Sequence, residues 1–189
     1  MISNNGGNGH NAGHTITALV MDRPGVLNRI SSMFRRRGFN IASLAVGQSE
    51  IPNQSRMTFV VDSSQADVVE QVTKQLRKVI EVVKVNDLRG EEIVARELAL
   101  VKVKASTAAV RGEIIQVVEL FRARIVDVAS DSVIIEVTGD DDKIGSLLTL
   151  VKGFGIVEVM RTGRIAMVRG KKAPMRAAER AKRGASKRA

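Results

Sequence analysis

Residues 15–41, TITALVMDRPGVLNRISSMFRRRGFNI, decide the fold of this chain. The first seven of them are mostly apolar and β-branched, which predicts a strand, and Pro24 and Gly25 end that strand. From Val26 onward apolar residues recur at helical spacing, and three arginines precede Gly38, which we predict as the C-cap. The stretch therefore predicts a strand, a tight loop and an amphipathic helix in immediate succession.

The following segments complete a unit with two further strands, a second helix and a fourth strand. Residues 40–48 and 56–62 predict a hairpin around a loop that contains Pro52 and Asn53. The second helix combines a capping-box pattern with an apolar stripe, formed by Ser64 and Asp67 and by Val68, Val69, Val72 and Leu76. Residues 79–85 predict the fourth strand. The order βαββαβ is typical of a ferredoxin-like α+β fold.

The same order of elements returns after a charged joint at residues 88–92. The strands of this second unit are predicted at residues 98–105, 125–128, 133–137 and 156–160. Its helices are predicted from two apolar stripes, Val110, Ile114, Val117, Val118 and Phe121, then Ile144, Leu147, Leu148 and Val151. A last apolar segment, 165–168, could add an edge strand.

We therefore expect two ferredoxin-like units that repeat one architecture, without close residue identity between them. The boundaries predicted for them are 14–88 and 95–169, joined by a linker at 89–94. The remaining segments, 1–13 and 170–189, are predicted to be flexible tails, because they contain few apolar residues and no apolar periodicity.

The charge of the chain is concentrated at its C-terminal end. The formal net charge is +10, and nine of the 30 basic residues but one of the 20 acidic residues fall in residues 169–189. A basic tail of this kind favours salt-sensitive contacts with anionic surfaces and cannot by itself read a nucleic-acid sequence. We expect no specific nucleic-acid partner.

Composition excludes several classes of function. The chain has no cysteine, which removes disulfides, thiolate metal sites and cysteine nucleophiles, and both of its histidines, His10 and His14, precede the first strand. No apolar run is long enough to span a membrane, and no hydrophobic signal segment opens the chain. We expect a cytoplasmic protein that contacts no membrane and carries no catalytic residues of its own.

The loop after the first strand is the best candidate for a binding site. Helix N-terminal amides and Gly25 would let a small carboxylate approach the backbone, and Asp22 could pair with an ammonium group. Asn40 offers an amide with both a donor and an acceptor. These groups complement the two ends of an α-amino acid. Ordinary turns also favour Asp, Pro, Gly and Asn, and the residues alone favour an ordinary turn over a binding site.

Two other clusters of polar residues favour structural roles. His10 and His14 have a spacing that suits a metal only on a helix, which the surrounding Asn and Gly residues make a poor prediction. Asp140, Asp141 and Asp142 could hold a hard cation, but anions at the start of a helix explain them better. We expect no metal site.

Several stretches resemble one protein family. DRPGVL at 22–27 and RRGFNIASL at 36–44 resemble the start of an ACT domain, an amino-acid sensor with a ferredoxin-like fold. SRMTFVVD at 55–62 and RELALVKVKAS at 96–106 are similar to the regulatory small subunits of acetolactate synthase, also called acetohydroxyacid synthase. FRARIVDV at 121–128 and IVEVMRTGRIAMVRG at 156–170 extend that resemblance over nearly the whole folded region.

The resemblance implies a regulatory subunit that is not itself an enzyme. Such a subunit activates a separate catalytic large subunit and confers feedback inhibition by branched-chain amino acids, usually valine. Thiamine diphosphate, Mg and FAD would belong to that partner, and this chain would carry no cofactor. The resemblance also implies a homodimer through the ACT domains.

The effector site implied by the resemblance lies between two ACT domains. Asp22, Gly25, Val26 and Leu27 would come from one chain, and Asn40 and Ile41 from the other. Val26, Leu27 and Ile41 would form an apolar wall for an isopropyl group, while Asp22 and Asn40 would supply polar ends.

Two alternatives remain beside this interpretation. A free-standing ACT sensor for another biosynthetic enzyme would have the same N-terminal motifs. Ferredoxin-like sheets with basic tails also bind RNA, but they stack bases on aromatic side chains, and this chain has no Trp or Tyr and only five Phe. Association with a large thiamine-dependent subunit would discriminate among the three.

Overall fold

A computed structural model describes residues 13–62 and 66–170 of the chain. It divides the chain between Glu91 and Glu92 into two compact units, which we call the N-terminal unit and the C-terminal unit. The predictions made for His10, for Ser64 and for residues 171–189 fall outside the described residues.

The N-terminal unit has the predicted βαββαβ order. Its elements are β1 (His14–Met21), α1 (Val26–Arg36), β2 (Ile41–Gln48), β3 (Gln54–Val61), α2 (Ala66–Leu76) and β4 (Val82–Asp87). The four strands form an antiparallel sheet in the order β2-β3-β1-β4.

The C-terminal unit repeats that architecture and adds one strand. Its elements are β5 (Ile93–Lys104), α3 (Ala108–Leu120), β6 (Arg124–Val128), β7 (Ser132–Gly139), α4 (Asp141–Val151), β8 (Ile156–Arg161) and β9 (Ile165–Val168), with a 3-10 turn at Lys152–Phe154. The sheet order β6-β7-β5-β8 is the equivalent of the order in the N-terminal unit, and β9 also pairs with β5. The prediction of two ferredoxin-like units is confirmed.

Most strand boundaries differ from the prediction by one or two residues, and the starts of two strands differ by three or more. β4 begins at Val82 and not at residue 79, because successive turns carry the chain from α2 to that point: the Val79 amide donates to Leu76, and the Val82 amide donates to Val79. β5 begins at Ile93 and not at residue 98, because residues 93–96 pair with β9. The end of the predicted linker, 93–94, is therefore part of a strand.

Each unit has its own apolar core between sheet and helices. In the N-terminal unit the largest fully buried side chains include Phe34, Phe59, Ile16 and Ile30. Ile114, Ile135, Ile144 and Leu147 have the same role in the C-terminal unit. Burial of this kind contributes about 1.5–3 kcal/mol for each large side chain.

The end of α1 fixes the path of the chain into β2. The C-cap residue is Arg37, one residue before the predicted Gly38, and Gly38 follows it at φ 67°. The Gly38 amide donates to Arg35 and the Phe39 amide to Phe34, which is a Schellman motif. Its apolar contact joins Phe39 edge-on to Phe34, with ring centroids 6.3 Å apart, and Phe34 also stacks on Phe59 at 5.4 Å. This aromatic cluster sets the position of Asn40, the next residue.

Candidate functional site

The loop between β1 and α1 is held from both sides of β1. The Met21 amide donates to the Glu81 carbonyl at 2.8 Å, and the Asp22 amide donates to the Asn53 carbonyl at 2.8 Å. Arg29 on α1 adds an ion pair to the Glu81 carboxylate, with Nη1 2.6 Å from Oε1. These bonds fix where α1 starts relative to the sheet.

The start of α1 is open to a ligand. Gly25 is the N-cap residue with φ 86°, a left-handed conformation that L side chains rarely adopt, and a Cβ built on it would meet nothing within 4 Å. No side chain of the described residues caps the helix, and its first turn holds no acidic residue. The Val26 amide makes one long hydrogen bond, 3.4 Å to the Arg23 carbonyl, and the helix dipole leaves this end suited to an anion such as a carboxylate.

The side chains of the loop point in different directions. Asp22 and Leu27 are exposed beside Gly25. Val26 is only 5% exposed and belongs to the core with Ile30. Its side chain is therefore not placed to form the apolar wall expected for it, and its backbone amide already donates to the Arg23 carbonyl.

Within one chain, the two predicted halves of the site lie at opposite ends of the sheet. Ile41 pairs with Val61, which in turn pairs with His14 at the beginning of β1. The other end of β1, Met21, is seven residues along, which is about 23 Å at a rise of ~3.3 Å per residue, and Asp22 follows it. Asn40 and Ile41 therefore cannot meet the Asp22 loop of the same chain.

The loop after the first strand of the C-terminal unit, between β5 and α3, is held by the same two backbone hydrogen bonds as the loop between β1 and α1. The Lys104 amide donates to Gly155 and the Ala105 amide donates to Asp131, as Met21 and Asp22 do to Glu81 and Asn53 in the first unit. These matching bonds show that the two loops are structural equivalents.

In the loop between β5 and α3, side chains form hydrogen bonds with the backbone groups. The Thr107 hydroxyl, at the N-cap of α3, accepts from the Val110 amide at 3.3 Å. Arg111 donates to the Ala105 carbonyl at 2.9 Å and to the Ser130 carbonyl. The C-terminal unit therefore keeps the two backbone hydrogen bonds that hold the loop, but the start of its helix is capped by a side chain of the chain itself.

Sequence reasoning missed the residues that hold the first loop. The sequence predicts a strand over 79–85 that includes Glu81, whereas Glu81 precedes β4 and its carbonyl and carboxylate hold the loop. Its buried Oε2 atom has no hydrogen-bond partner among the described residues. Arg29 and the Asn53 carbonyl were also missed as partners of the loop. Asn53 has a positive φ of 59°, a conformation that Asn tolerates, so its place in a tight turn was the available signal.

The aspartates at 140–142 begin a helix, as the sequence favoured. Asp140 is the N-cap of α4, and its Oδ1 accepts from the Lys143 amide at 2.9 Å. Asp141 pairs with Arg161 at 2.7 Å and with Arg164. In residues 13–62 and 66–170, no group of three or more His, Cys, Asp and Glu side chains is arranged to hold a metal ion. Over the same ranges, the helices are too short or too polar to cross a membrane.

A ferredoxin-like unit with an open loop after its first strand defines an ACT-type domain, and comparison with known families agrees. Residues 16–84 match the model of the AHAS small subunit-like ACT domain, and residues 96–170 match the model of the small subunit of acetolactate synthase. The chain belongs to the acetolactate synthase small subunit family.

Individual relatives match over nearly their whole length. The acetolactate synthase small subunit of Mycolicibacterium smegmatis is 50% identical over 157 residues, which cover 83% of this chain and 91% of the relative. The Bacillus subtilis acetolactate synthase small subunit is 49% identical over 155 residues, or 82% and 90%. The crystal structure of the Thermotoga maritima acetolactate synthase small subunit superposes with a TM-score of 0.76 at 40% identity, covering 84% of this chain and 98% of that one.

Proposed function

We propose that this chain is the regulatory subunit of acetolactate synthase, activates a separate catalytic large subunit and confers feedback inhibition by valine. The observation that carries the proposal is the open start of α1 at Gly25, in a chain whose equivalent helix α3 is capped by Thr107. Membership of the small subunit family supports the role, because the two matched models cover both units.

The effector is an α-amino acid with a branched apolar side chain. Its carboxylate is bound by the amides at the start of α1, and its ammonium group pairs with the exposed Asp22 carboxylate. Leu27, which is exposed beside that helix start, contacts the isopropyl group. Asn40 and Ile41 complete the pocket from a second chain.

A homodimer through β2 brings the two halves of the pocket together. β2 is an edge strand, IASLAVGQ, without a charge or a proline, whereas the edge strands β4, β6 and β8 each carry charged residues. An uncharged edge is open to pairing with another strand. β2 is therefore the edge that we expect to pair with its counterpart.

The direction of β2 supports this dimer. Gln48 at its end pairs with Ser55, which also pairs with Val20 near the loop. When two copies of β2 pair antiparallel, Asn40 and Ile41 of the partner lie at the same end of the joint sheet as Asp22. They are then three strand spacings from β1, about 14 Å, a gap that an amino acid and flanking side chains can fill.

The chemistry of the enzyme belongs to the large subunit, which holds thiamine diphosphate, Mg and FAD. This chain acts by coupling: valine favours one arrangement of the dimer, and activation of the large subunit favours another. A coupling free energy of about 1–3 kcal/mol is typical of such regulation, and it is reciprocal.

Reconstitution tests the proposal. The full chain should co-purify with an acetolactate synthase large subunit, form no acetolactate from pyruvate alone, raise the activity of the large subunit and make that activity sensitive to valine. Calorimetric titration of the isolated chain with valine, leucine and isoleucine identifies the preferred effector. A chain that binds an amino acid but neither binds nor activates the large subunit would instead be a free-standing sensor.

A further inference from the structure

The C-terminal unit contains a cavity of its own at the end of β5, which we call the β5 cavity. Its volume is about 370 Å³. Small-molecule sites are typically of roughly 300–1,000 Å³. All of its lining residues belong to the C-terminal unit, and none belongs to the proposed effector site: Lys102, Lys104, Ser106, Asp131, Ser132 and Val157.

Two lysines share one wall of the β5 cavity. Val101 and Val103 are fully buried in the core against α3 and α4, so the alternate residues of β5, Lys102 and Lys104, lie on the opposite face of the sheet. Their Cα atoms are about 6.6 Å apart at a rise of ~3.3 Å per residue, which lets both ammonium groups reach one ligand. Within the described residues, neither ammonium group forms an ion pair or a hydrogen bond.

Asp131 supplies a negative charge to the same cavity. Its carbonyl accepts from the Ala105 amide at 2.7 Å, and Arg111 donates to the carbonyls of Ala105 and Ser130, so the backbone around it is fixed. The Ser132 hydroxyl donates to Oδ1 of Asp131 at 3.1 Å. In the part of the chain that the structure describes, Oδ2 of Asp131 has no partner. It is therefore available to a ligand.

Val157 gives the cavity an apolar contact. Lys102 pairs with Glu158, and Val103 pairs with Ile156, so Val157 is the extra residue of a β-bulge in β8. Its side chain is half-exposed and lines the cavity. Glu158 lies opposite Lys102, but no ion pair joins the two among the described residues, and Glu158 does not line the cavity.

The N-terminal unit has uncharged side chains at three positions where the β5 cavity has charged ones. The matching hydrogen bonds of the two loops, and a bulge opposite the first strand of each unit, identify these positions. The corresponding pairs are Leu19 and Lys102, Met21 and Lys104, and Asn53 and Asp131. Because the same framework folds with uncharged residues at these positions, the fold itself does not require the three charges.

The charges of the cavity determine which ligand fits. A simple anion would pair with the lysines but would be repelled by Asp131, and a simple cation would be repelled by the lysines. We propose that the β5 cavity binds a free α-amino acid, whose carboxylate pairs with Lys102 and Lys104 and whose ammonium group pairs with Asp131. The side chain of the amino acid contacts Val157.

This second amino-acid site goes beyond the proposed function, because it shares no residue with the effector loop and needs no second chain. The cavity is formed by one chain and is open to solvent, so it binds more weakly than a pocket enclosed between two chains. A chain that failed to bind valine at the start of α1 would still bind an amino acid in the β5 cavity, and the reverse also holds.

Calorimetric titration of the full chain with L-alanine, L-valine and L-leucine tests the proposal in the Gly25→Asp background, which impairs the effector loop. We expect binding to remain in that background. Adding Lys104→Met or Asp131→Asn, each of which introduces the residue of the N-terminal unit, should weaken the remaining binding about tenfold through loss of a charge-assisted contact. Thermal unfolding verifies that each variant is folded.

The matched controls are Lys152→Met and Asp127→Asn, which remove the same charges at exposed positions outside the cavity and should leave the affinity unchanged. Two further ligands test the role of the ammonium group: 3-methyl-2-oxobutanoate, which has an oxo group in its place, and inorganic phosphate. Both should bind at least about tenfold more weakly than L-valine.

Three results would overturn the proposal. The first is that none of the three amino acids binds in the Gly25→Asp background. The second is that Lys104→Met and Asp131→Asn have no larger effect than their controls. The third is that phosphate or the oxo acid binds as tightly as the amino acids, which would show a site for simple anions. If Gly25→Asp leaves all binding unchanged but Lys104→Met weakens it, the proposed effector loop fails and the β5 cavity does not.

Discussion

Gly25 and Thr107 are the N-cap residues of equivalent helices in the two units, and only Thr107 caps its helix with a side chain. Each is the N-cap residue of the helix that follows the first strand of its unit. The Thr107 hydroxyl accepts from the Val110 amide, whereas Gly25 has no side chain and a positive φ. The two units therefore differ at the backbone feature that a carboxylate would contact, which supports one effector loop in each chain.

Gly25→Asp should weaken valine binding at least about tenfold, because it strains a left-handed position and places a carboxylate beside the one on the effector. Calorimetric titration measures the affinity. Gly90→Asp is the matched control: Gly90 also has a positive φ, 70°, with nothing within 4 Å of a built Cβ. Equal loss of affinity in both variants would show that backbone strain, and not the site, is responsible.

Asn40→Ala should reduce valine sensitivity while activation of the large subunit persists. The loss of one amide that hydrogen-bonds a charged ligand costs about 1.5–3 kcal/mol, or roughly tenfold or more in affinity. Asn40 is exposed, so the fold should be unaffected. The inhibition curve of the reconstituted enzyme is the measurement, and an unchanged curve would place the effector elsewhere.

Val46→Lys should convert the β2 dimer into monomers at micromolar concentration, because a lysine on an edge strand opposes pairing. Val126→Lys is the matched control on β6, the equivalent edge of the C-terminal unit, and the two valines are 49% and 51% exposed. Sedimentation velocity reports the size of each variant. A Val46→Lys chain that stays dimeric at the same concentration would contradict the β2 interface.

Glu97→Ala should destabilise the C-terminal unit by about 2 kcal/mol, because it removes a buried carboxylate that the half-buried Gly163 amide and Arg161 both contact, and it leaves that amide without its side-chain partner. Glu158→Ala removes an exposed carboxylate from β8 and should cost little. Urea unfolding of both variants gives the comparison. A loss of less than about 0.5 kcal/mol for Glu97→Ala would mean that the contacts of Glu97 contribute no more than surface ion pairs do.

Arg122→Gly should stabilise the chain by up to ~1 kcal/mol, since a residue with a Cβ is costly in the left-handed region. Arg122 follows the C-cap of α3 at φ 48°, where the first unit has Gly38 at φ 67°. Gly38→Arg should have the opposite effect at the equivalent position. Thermal unfolding measures both variants, and a loss of stability in Arg122→Gly would mean that the arginine side chain contributes more than the backbone strain costs.

The local elements of this fold were predictable because each is marked by short-range patterns. The break at Pro24 and Gly25, the apolar stripe of α1 and the alternation within β5 all act within a few residues. The misplaced start of β4 has the same origin: Val79 and Ile80 are apolar enough for a strand, but hydrogen bonds from the end of α2 hold them in turns.

The features that sequence reasoning missed depend on contacts between distant segments. β5 extends back to Ile93 only because β9, more than sixty residues later, pairs with it. Val26 lies on the core side of α1. Because Val26 and Leu27 are adjacent apolar residues, the sequence does not show which of them is buried and which is exposed to a ligand. The anchoring of the loop by Glu81 likewise depends on the pairing of β1 with β4.

The aromatic cluster of Phe34, Phe39 and Phe59 provides a spectroscopic probe of the N-terminal unit. With no Trp or Tyr, the five phenylalanines are its only aromatic side chains apart from two histidines. Three of them lie in the N-terminal unit, and the other two, Phe121 and Phe154, lie in the C-terminal unit. Fluorine-labelled phenylalanine would thus give five resonances that divide between the units, so a single titration could separate an effector's influence on one from its influence on the other. In a complex with a tryptophan-containing partner, all indole fluorescence would come from the partner.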